Sequence, residues 1–415
     1  MSGLEARAPA VPRREQRFLR RRLRSPTGPD DCGVRARSSC HPFLAQDIMK
    51  QRWFVPFAKT LSLLVALAVS AAAATAAPKR ILVITQSKGF KHGVVSRPAP
   101  DQLCLVEKTV QEIGVKSGVF EVELSQDAIA ALTKENLAKF DALFFYTTGS
   151  LLPAGDPREA LLDFVRQGKG FIGTHSATDT FKDFKGYTSL INGNFAGHPW
   201  NAGTTCTFVN HEPSHPVVKM FDAEFQWKDE IYQYSDYDMK SVRVLYSLNM
   251  AKTNPKMPYL VPVCWVREFG QGRLFYTNLG HNEATWKDAK YQEHLLAGIR
   301  WALKLIDGPA TPNPEVQQVE HNKSIVAFAA SVAGKDATPY LAKAAASPAW
   351  LTEVTAAASA AGKAQSAVNG VRDPDPKKTK PEELEAARAA AKAKRAELQA
   401  KLEEQKKLLV AVLEK

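Results

Sequence analysis

Four short apolar runs alternate along the first third of the ordered-looking sequence with stretches of helical periodicity, and this alternation limits the fold more than any other feature. The runs are Lys79 to Thr85 (KRILVIT), Val119 to Leu124, Asp141 to Thr147 (DALFFYT) and the Phe171-Ile172 pair. Between them, 101–117 carries Leu103, Val106, Val110 and Ile113, and 157–167 carries Leu161, Leu162, Phe164 and Val165. Residues 128–140 also read as helix. A near-continuous aliphatic run such as KRILVIT suits a strand covered on both faces. Strands separated by helices of this length predict a parallel, doubly wound α/β sheet.

In such a sheet, ligands bind outside the carboxyl ends of the strands. The fourth run opens into Gly173-Thr174-His175-Ser176-Ala177-Thr178-Asp179. Small residues around His175 leave room for a sharp strand-to-helix turn of the kind that presents a nucleophile, yet its centre here is an imidazole. Neither Thr174 nor Ser176 lies in a Gly-x-Ser-x-Gly frame, which argues against a serine hydrolase. The loop after the first strand, Ser87-Lys88-Gly89-Phe90-Lys91-His92-Gly93, lacks Gly-x-Gly-x-x-Gly, so no nucleotide cofactor is expected.

Beyond Asp179 the pattern shortens. Residues 184–195 read as loop and short helix, ending at Gly197-His198-Pro199. Runs at 204–209, 223–227, 232–234 and 242–248 alternate with period two and predict an added antiparallel region. Leu260 to Glu268 and Gly272 to Thr277 form a hairpin-like pair followed by Leu279-Gly280-His281-Asn282-Glu283. An amphipathic helix from Tyr291 to Ile306 closes a domain read as 77–308. His211 and His215 flank a turn and are read as surface residues.

The 415-residue chain has a formal charge of +12, which could suggest a nucleic-acid partner. Its distribution excludes one: residues 1–48 hold +5 and 49–76 hold +3, which leaves only +4 over the remainder, with no basic stripe. Met49-Lys50-Gln51-Arg52, the apolar Leu61 to Ala74 and Ala74-Thr75-Ala76 read in order as the basic, apolar and cleavage regions of a signal peptide over 49–76. The expectation is export to the periplasm or exterior with no membrane span left after cleavage. Residues 1–48, Arg- and Pro-rich and unpatterned, read as a disordered upstream extension foreign to the natural product. Cys104, Cys206 and Cys264, the cysteines after residue 76, match neither a disulfide framework nor a zinc spacing.

Residues 309–380 read as an Ala/Pro-rich linker with partial helix, too poor in large apolar residues to bury a core alone. A helix is expected over 381–415, opened by Thr379-Lys380-Pro381-Glu382. Its leucine stripe among mixed charges reads as a largely solvated helix, with self-association as the alternative; the oligomeric state is otherwise open.

The elbow GKGFIGTHSATD, the Gly197-His198-Pro199 and Asp229-Glu230-Ile231-Tyr232 segments, and REFGQGRLFYTNLGH followed by GIRWAL resemble, together and in order, the ThuA-like (trehalose utilisation) family over about 79–307. The resemblance implies a flavodoxin-like fold of the class I glutamine amidotransferase type. In those amidotransferases the elbow holds a catalytic Cys assisted by a later His-x-Glu. Here His175 occupies the elbow and His281-Asn282-Glu283 resembles the His-x-Glu, so thiolate chemistry on glutamine is not expected.

What the resemblance implies instead is a role in sugar utilisation, on trehalose, a related glucoside or its oxidised 3-keto form. His175, His281 and Glu230 are the candidate catalytic groups. His198, Trp200, Tyr232, Asp179 and Glu283 are candidates for binding a carbohydrate, Trp200, Tyr232 and Trp286 as stacking faces. His175, His198 and His281 are candidate ligands of a divalent metal, although their spacing makes no ligand motif. A non-catalytic sugar-binding protein on the same fold is the rival reading.

Overall fold

The structure is a computed structural model and describes residues 77–415. The extension and leader read at 1–48 and 49–76 lie outside the described residues. Strand β1 (Lys79–Ile84) pairs in parallel with β2 (Phe120–Ser125) on one side and β3 (Ala142–Phe145) on the other. Next to β3 lies β4 (Gly170–Thr174), followed by β11 (Gly272–Thr277), both parallel. The order β2-β1-β3-β4-β11 is the flavodoxin-like arrangement, with its switch point between β1 and β3. From β11 the sheet continues antiparallel through β10 (Pro262–Phe269), β9 (Arg243–Leu248), β6 (Thr205–Asn210) and β7 (Glu224–Lys228). Three of the four period-two runs, at 204–209, 223–227 and 242–248, therefore extend one continuous mixed sheet, while 232–234 does not.

Successive residues of a strand point to opposite faces, and β1 shows the consequence: Ile81 and Val83 enter one core, Leu82 and Ile84 the other. The first core is covered by α1 (Leu105–Ser117) through Val106, Val110 and Ile113, and by α7 (Ala289–Ala302) through Leu295 and Ile299. The second is covered by α4 (Asp156–Arg166) and α5 (Lys185–Ile191). The helix read over 128–140 is two single turns, α2 (Ala128–Ala131) and α3 (Lys134–Leu137), because the Asp127 and Thr133 side chains each cap a new start.

Asn194–Trp200, read from sequence as loop, is strand β5, paired antiparallel with β8 (Ile231–Ser235) in a separate ribbon. Gly197 and Pro199 disguise it: both are turn residues, tolerated here because the pairing slips around them and Gly197 takes φ +133°. A short helix α6 (Glu283–Lys287) links β11 to α7.

Residues 309–380, expected to be linker with partial helix, hold α8 (Pro314–Ala333), the single turns α9 (Thr338–Leu341) and α10 (Lys343–Ala346), and α11 (Pro348–Gly370). Two amides fasten α8 to the sheet. Asn313 bonds both the N–H and the carbonyl of Val244, and Gln317 donates to the carbonyls of Met239 and Val242. The C-terminal helix α12 (Pro381–Leu413) lies against α8 and α11, burying Leu409 and Leu413 with Ile325, Val326, Trp350 and Val354. What neither the alanine-rich stretch nor the charged helix buries alone, the three helices bury together.

Candidate functional site

Three segments leave the carboxyl ends of parallel strands and meet over the switch point. The loop after β1 is pinned to the end of β3: Lys88 N–H donates to the Thr148 carbonyl, Gly89 N–H to the Thr148 hydroxyl, and that hydroxyl to the Phe90 carbonyl. Two residues on, His92 is buried. After β4, His175 takes the left-handed φ of +43° that makes the elbow sharp. Such a conformation is strained by about 1–3 kcal/mol for a non-glycine residue. It is held by the Tyr276 hydroxyl, 2.7 Å from the His175 carbonyl, and by a 2.7 Å bond between His175 Nδ1 and the Asn278 carbonyl. After β11, Gly280 at φ +132° turns the chain so that His281 faces the other two imidazoles.

Glu230 enters from the opposite side, between β7 and β8. Its Oε2 lies 3.0 Å from His281 Nδ1 and 3.6 Å from His175 Nε2, and those two nitrogens are 3.3 Å apart. Its Oε1 lies 3.2 Å from His198 Nδ1. One ligand atom from each of His92, His175, Glu230 and His281 falls within 4.8 Å of all the others.

Asp229, fully buried beside Glu230, clamps the segment that carries His281. Its Oδ2 accepts from Gly280 N–H at 2.7 Å and the Thr285 hydroxyl at 2.9 Å, and its Oδ1 from Asn282 N–H at 2.9 Å and Glu230 N–H at 3.0 Å. Burial pushes this carboxyl above the ordinary aspartate range, opposed by His175 and by those donors.

The carbonyl of Asn278 can only accept, so His175 Nδ1 carries a proton, and in the neutral form of the ring Nε2 presents a lone pair to the cluster. Burial, joined by the charges of His175 and His281, lowers His92 to about 3, so it is neutral at physiological pH. For Glu230, burial would raise the carboxyl, but the adjacent His175 and His281 imidazoles hold it well below the usual range. Burial alone would lower His281, and its bond to Glu230 raises it above the ordinary histidine value. The result is a carboxylate with one proton-bearing imidazole and two imidazoles offering lone pairs. Such a set can accept and donate protons or coordinate a cation.

The structure brings together His175, His281 and Glu230, with His198 at the rim and half exposed. His198 lies on β5, and its partner is the outer oxygen of Glu230. Tyr232 belongs to the site too: its ring packs 4.4 Å from that of His175 and its hydroxyl lies 3.3 Å from His92 Nε2. Trp200 does not. It is wholly buried and its indole N–H donates to the Pro255 carbonyl, so its ring is core. Trp286 is likewise enclosed, donating to the Gly280 carbonyl. Glu283 points to solvent and pairs with Lys287, and Asp179 pairs with Lys182.

His215, read as a surface residue, is buried with Nε2 3.3 Å from the Pro309 carbonyl. The residue that sequence reasoning passed over is His92. Its signal was available, because it is the one histidine of the loop at the carboxyl end of the first strand.

Five buried side-chain polar atoms have no hydrogen-bond partner among the described residues, and three belong to this centre: His92 Nδ1, Ser176 Oγ and Asn278 Nδ2. Orphaned polar atoms in a protein interior commonly mark a missing water, ion or ligand.

Among solved structures, the chain resembles a ThuA-like protein from Bacteroides uniformis (19% identity, TM-score 0.45, covering 58% of this chain and 96% of that one). It also resembles a ThuA-like protein from Parabacteroides merdae (16% identity, TM-score 0.43, covering 58% of this chain and 99% of that one). A β-galactosidase from Bacillus circulans matches more weakly, at 14% identity and TM-score 0.35, over 56% of this chain and 32% of that one. No curated protein matches the chain. The family model described as trehalose utilisation matches residues 80–302, more than half of the sequence, and the chain belongs to this ThuA family.

Proposed function

We infer that the protein is an enzyme acting on a carbohydrate, a trehalose-like or related glucoside or its keto form, at the centre formed by His175, His281 and Glu230. The observation that carries this reading is the convergence of three imidazoles and one carboxylate at the sheet's ligand-binding edge. Proton transfer to and from sugar hydroxyls needs a group with a free lone pair beside one that holds a proton, and His175 Nε2 and the His281–Glu230 pair supply both. Around them Phe90, exposed, and the half-buried Phe195 offer apolar faces of the kind on which a pyranose ring packs, while His198 offers a polar edge.

Family membership supports the sugar, and the leader-like segment after Met49 supports an exported activity. The test is incubation of the protein with trehalose, simple glucosides and their 3-keto derivatives, with products followed by NMR. Turnover that His175→Ala and His281→Ala abolish is expected. Saturable sugar binding without turnover, weakened but not lost in those variants, would instead establish a sugar-binding protein.

A further inference from the structure

The distances inside the centre carry a more specific reading, which rests on the same site as the carbohydrate activity but not on that activity being correct. Donor atoms held at about 2.1 Å from one transition-metal ion and adjacent to each other lie about 3.0–3.4 Å apart, from octahedral to tetrahedral geometry. Glu230 Oε2, His175 Nε2 and His281 Nδ1 form a triangle with sides of 3.0, 3.3 and 3.6 Å. Three donors in mutual contact define one face of a coordination shell.

Each imidazole of the centre that has a second anchor is oriented as a ligand. Asn278 fixes the far nitrogen of His175, and the Tyr232 hydroxyl meets Nε2 of His92, whose Nδ1 is buried and partnerless. Outer oxygens that hold the far ring nitrogen are the usual companions of metal-bound histidine. The clamp from Asp229 to the N–H groups of Gly280 and Asn282 fixes the backbone on both sides of His281.

We propose that His175, His281, Glu230 and His92 hold one divalent first-row transition metal, which presents two adjacent open positions to a pair of neighbouring oxygens on the substrate. The adjacency follows from geometry. In an octahedron, three donors occupying one face leave the opposite face. A fourth donor takes one corner of that face, trans to one of the three, and the two remaining corners are next to each other. A carbohydrate has what fits them: vicinal hydroxyls, or a hydroxyl beside a carbonyl in a keto sugar. Imidazole and carboxylate donors without thiolate suit manganese, iron(II), cobalt or zinc. Cys104, Cys206 and Cys264 are buried outside the set. With the ion bound, the lone pairs of the ligating imidazoles are occupied. His198, half exposed and bonded to the outer oxygen of Glu230, becomes the group free to relay a proton.

The test is titration of the chelator-stripped full chain with Co(II), followed by calorimetry and visible absorption. One equivalent is expected to bind. His281→Ala and Glu230→Gln should weaken binding more than about a hundredfold and His92→Ala about ten- to a hundredfold. Glu230→Gln keeps the side chain's size, which guards the result against misfolding in His281→Ala. His198→Ala, which removes only an outer partner of Glu230, should weaken Co(II) binding by about tenfold, well short of the loss in His281→Ala.

Acetohydroxamate, a chelating pair of oxygens, should shift the cobalt spectrum at one equivalent. Absence of binding to the parent chain at millimolar Co(II) would overturn the proposal. So would loss of metal in His198→Ala equal to that in His281→Ala. A cobalt spectrum indifferent to acetohydroxamate would overturn the open pair. Sugar turnover in excess chelator would refute the metal while leaving the carbohydrate reading standing, and stoichiometric Co(II) binding without turnover would do the reverse.

Discussion

Asp229 is the residue through which the centre is most exposed to a single change. It touches none of the four convergent ligand atoms, yet it accepts four hydrogen bonds, two of them from the backbone N–H groups flanking His281. In Asp229→Asn the amide keeps one accepting oxygen and turns an NH2 toward the other pair of donors. With the oxygen left on Glu230 and Asn282, the Thr285 hydroxyl can rotate to accept, but Gly280 N–H then faces another donor at about 2.7 Å. A charge-assisted bond contributes about 1.5–3 kcal/mol, and a buried orphaned donor costs about 1–3 kcal/mol. Because both figures describe the same lost contact, the local loss is about 2–4 kcal/mol, which falls on opening of the 278–285 segment.

At 1.4 kcal/mol per tenfold, amide hydrogen exchange in peptides spanning 278–285 should accelerate about 30- to 1,000-fold. Co(II) affinity should fall about ten- to a hundredfold as His281 loses its fixed position. Thr285→Ala is the control: it removes one donor and leaves both backbone contacts, so it should loosen the same peptides by about tenfold or less. Exchange in Asp229→Asn within about threefold of the parent would refute the claim that Asp229 positions His281.

Two further expectations concern stability. The Glu107 side chain is wholly buried and accepts from Arg97 at 2.7 Å, from the Thr85 hydroxyl at 2.7 Å and from Cys104 N–H at 3.0 Å. Burial would raise its carboxyl, but these partners hold it below the ordinary value of 4.5. The stabilisation is thus complete above about pH 4.5 and is lost as the pH falls through the lower folded value. Arg97→Met should destabilise by about 3–5 kcal/mol at pH 7, with the deficit shrinking toward pH 4 as the abandoned carboxylate becomes free to protonate. A deficit equal at both pH values in urea unfolding would contradict this account.

In the helical module, Leu409→Ala opens a cavity among Ile325, Val354 and Trp350 and should cost about 2–4 kcal/mol. The faster hydrogen exchange should be confined to α8, α11 and α12. Acceleration in the sheet of comparable size would show that the module and the α/β domain unfold together.

The parallel half of the fold was legible because its inner strands β1, β3, β4 and β11 bury both faces: an unbroken aliphatic run followed by a helical repeat has few alternatives. His175 was legible for a related reason. Small residues at the end of a buried strand announce an elbow, and the side chain at its centre must face the crevice. His281 followed from its place just past β11. By contrast, β5 was hidden because an edge ribbon tolerates Gly197 and Pro199, which read as a turn wherever sequence is the only guide. The reading of 309–380 as a linker with partial helix did not reveal that α8 and α11 share a core, because alanine-rich helices bury little alone; that core appears only when α12 supplies Leu409 and Leu413.

Periodicity and residue size settle from the sequence alone which segments form the parallel strands, which of these are central, and which loops stand at the ligand-binding edge. They do not settle which side chains on those loops meet. Trp200 and Tyr232 are both aromatics near the ends of one two-stranded ribbon, yet Trp200 is spent in the core while Tyr232 touches His92 and His175. His92 and His198 are both loop-like histidines in the sequence, yet only His92 joins the triangle built by His175, His281 and Glu230, while His198 meets the outer edge of Glu230. Those choices depend on distances of a few ångströms between residues separated by up to about two hundred positions, and such distances exist only once the sheet has brought its strand ends together.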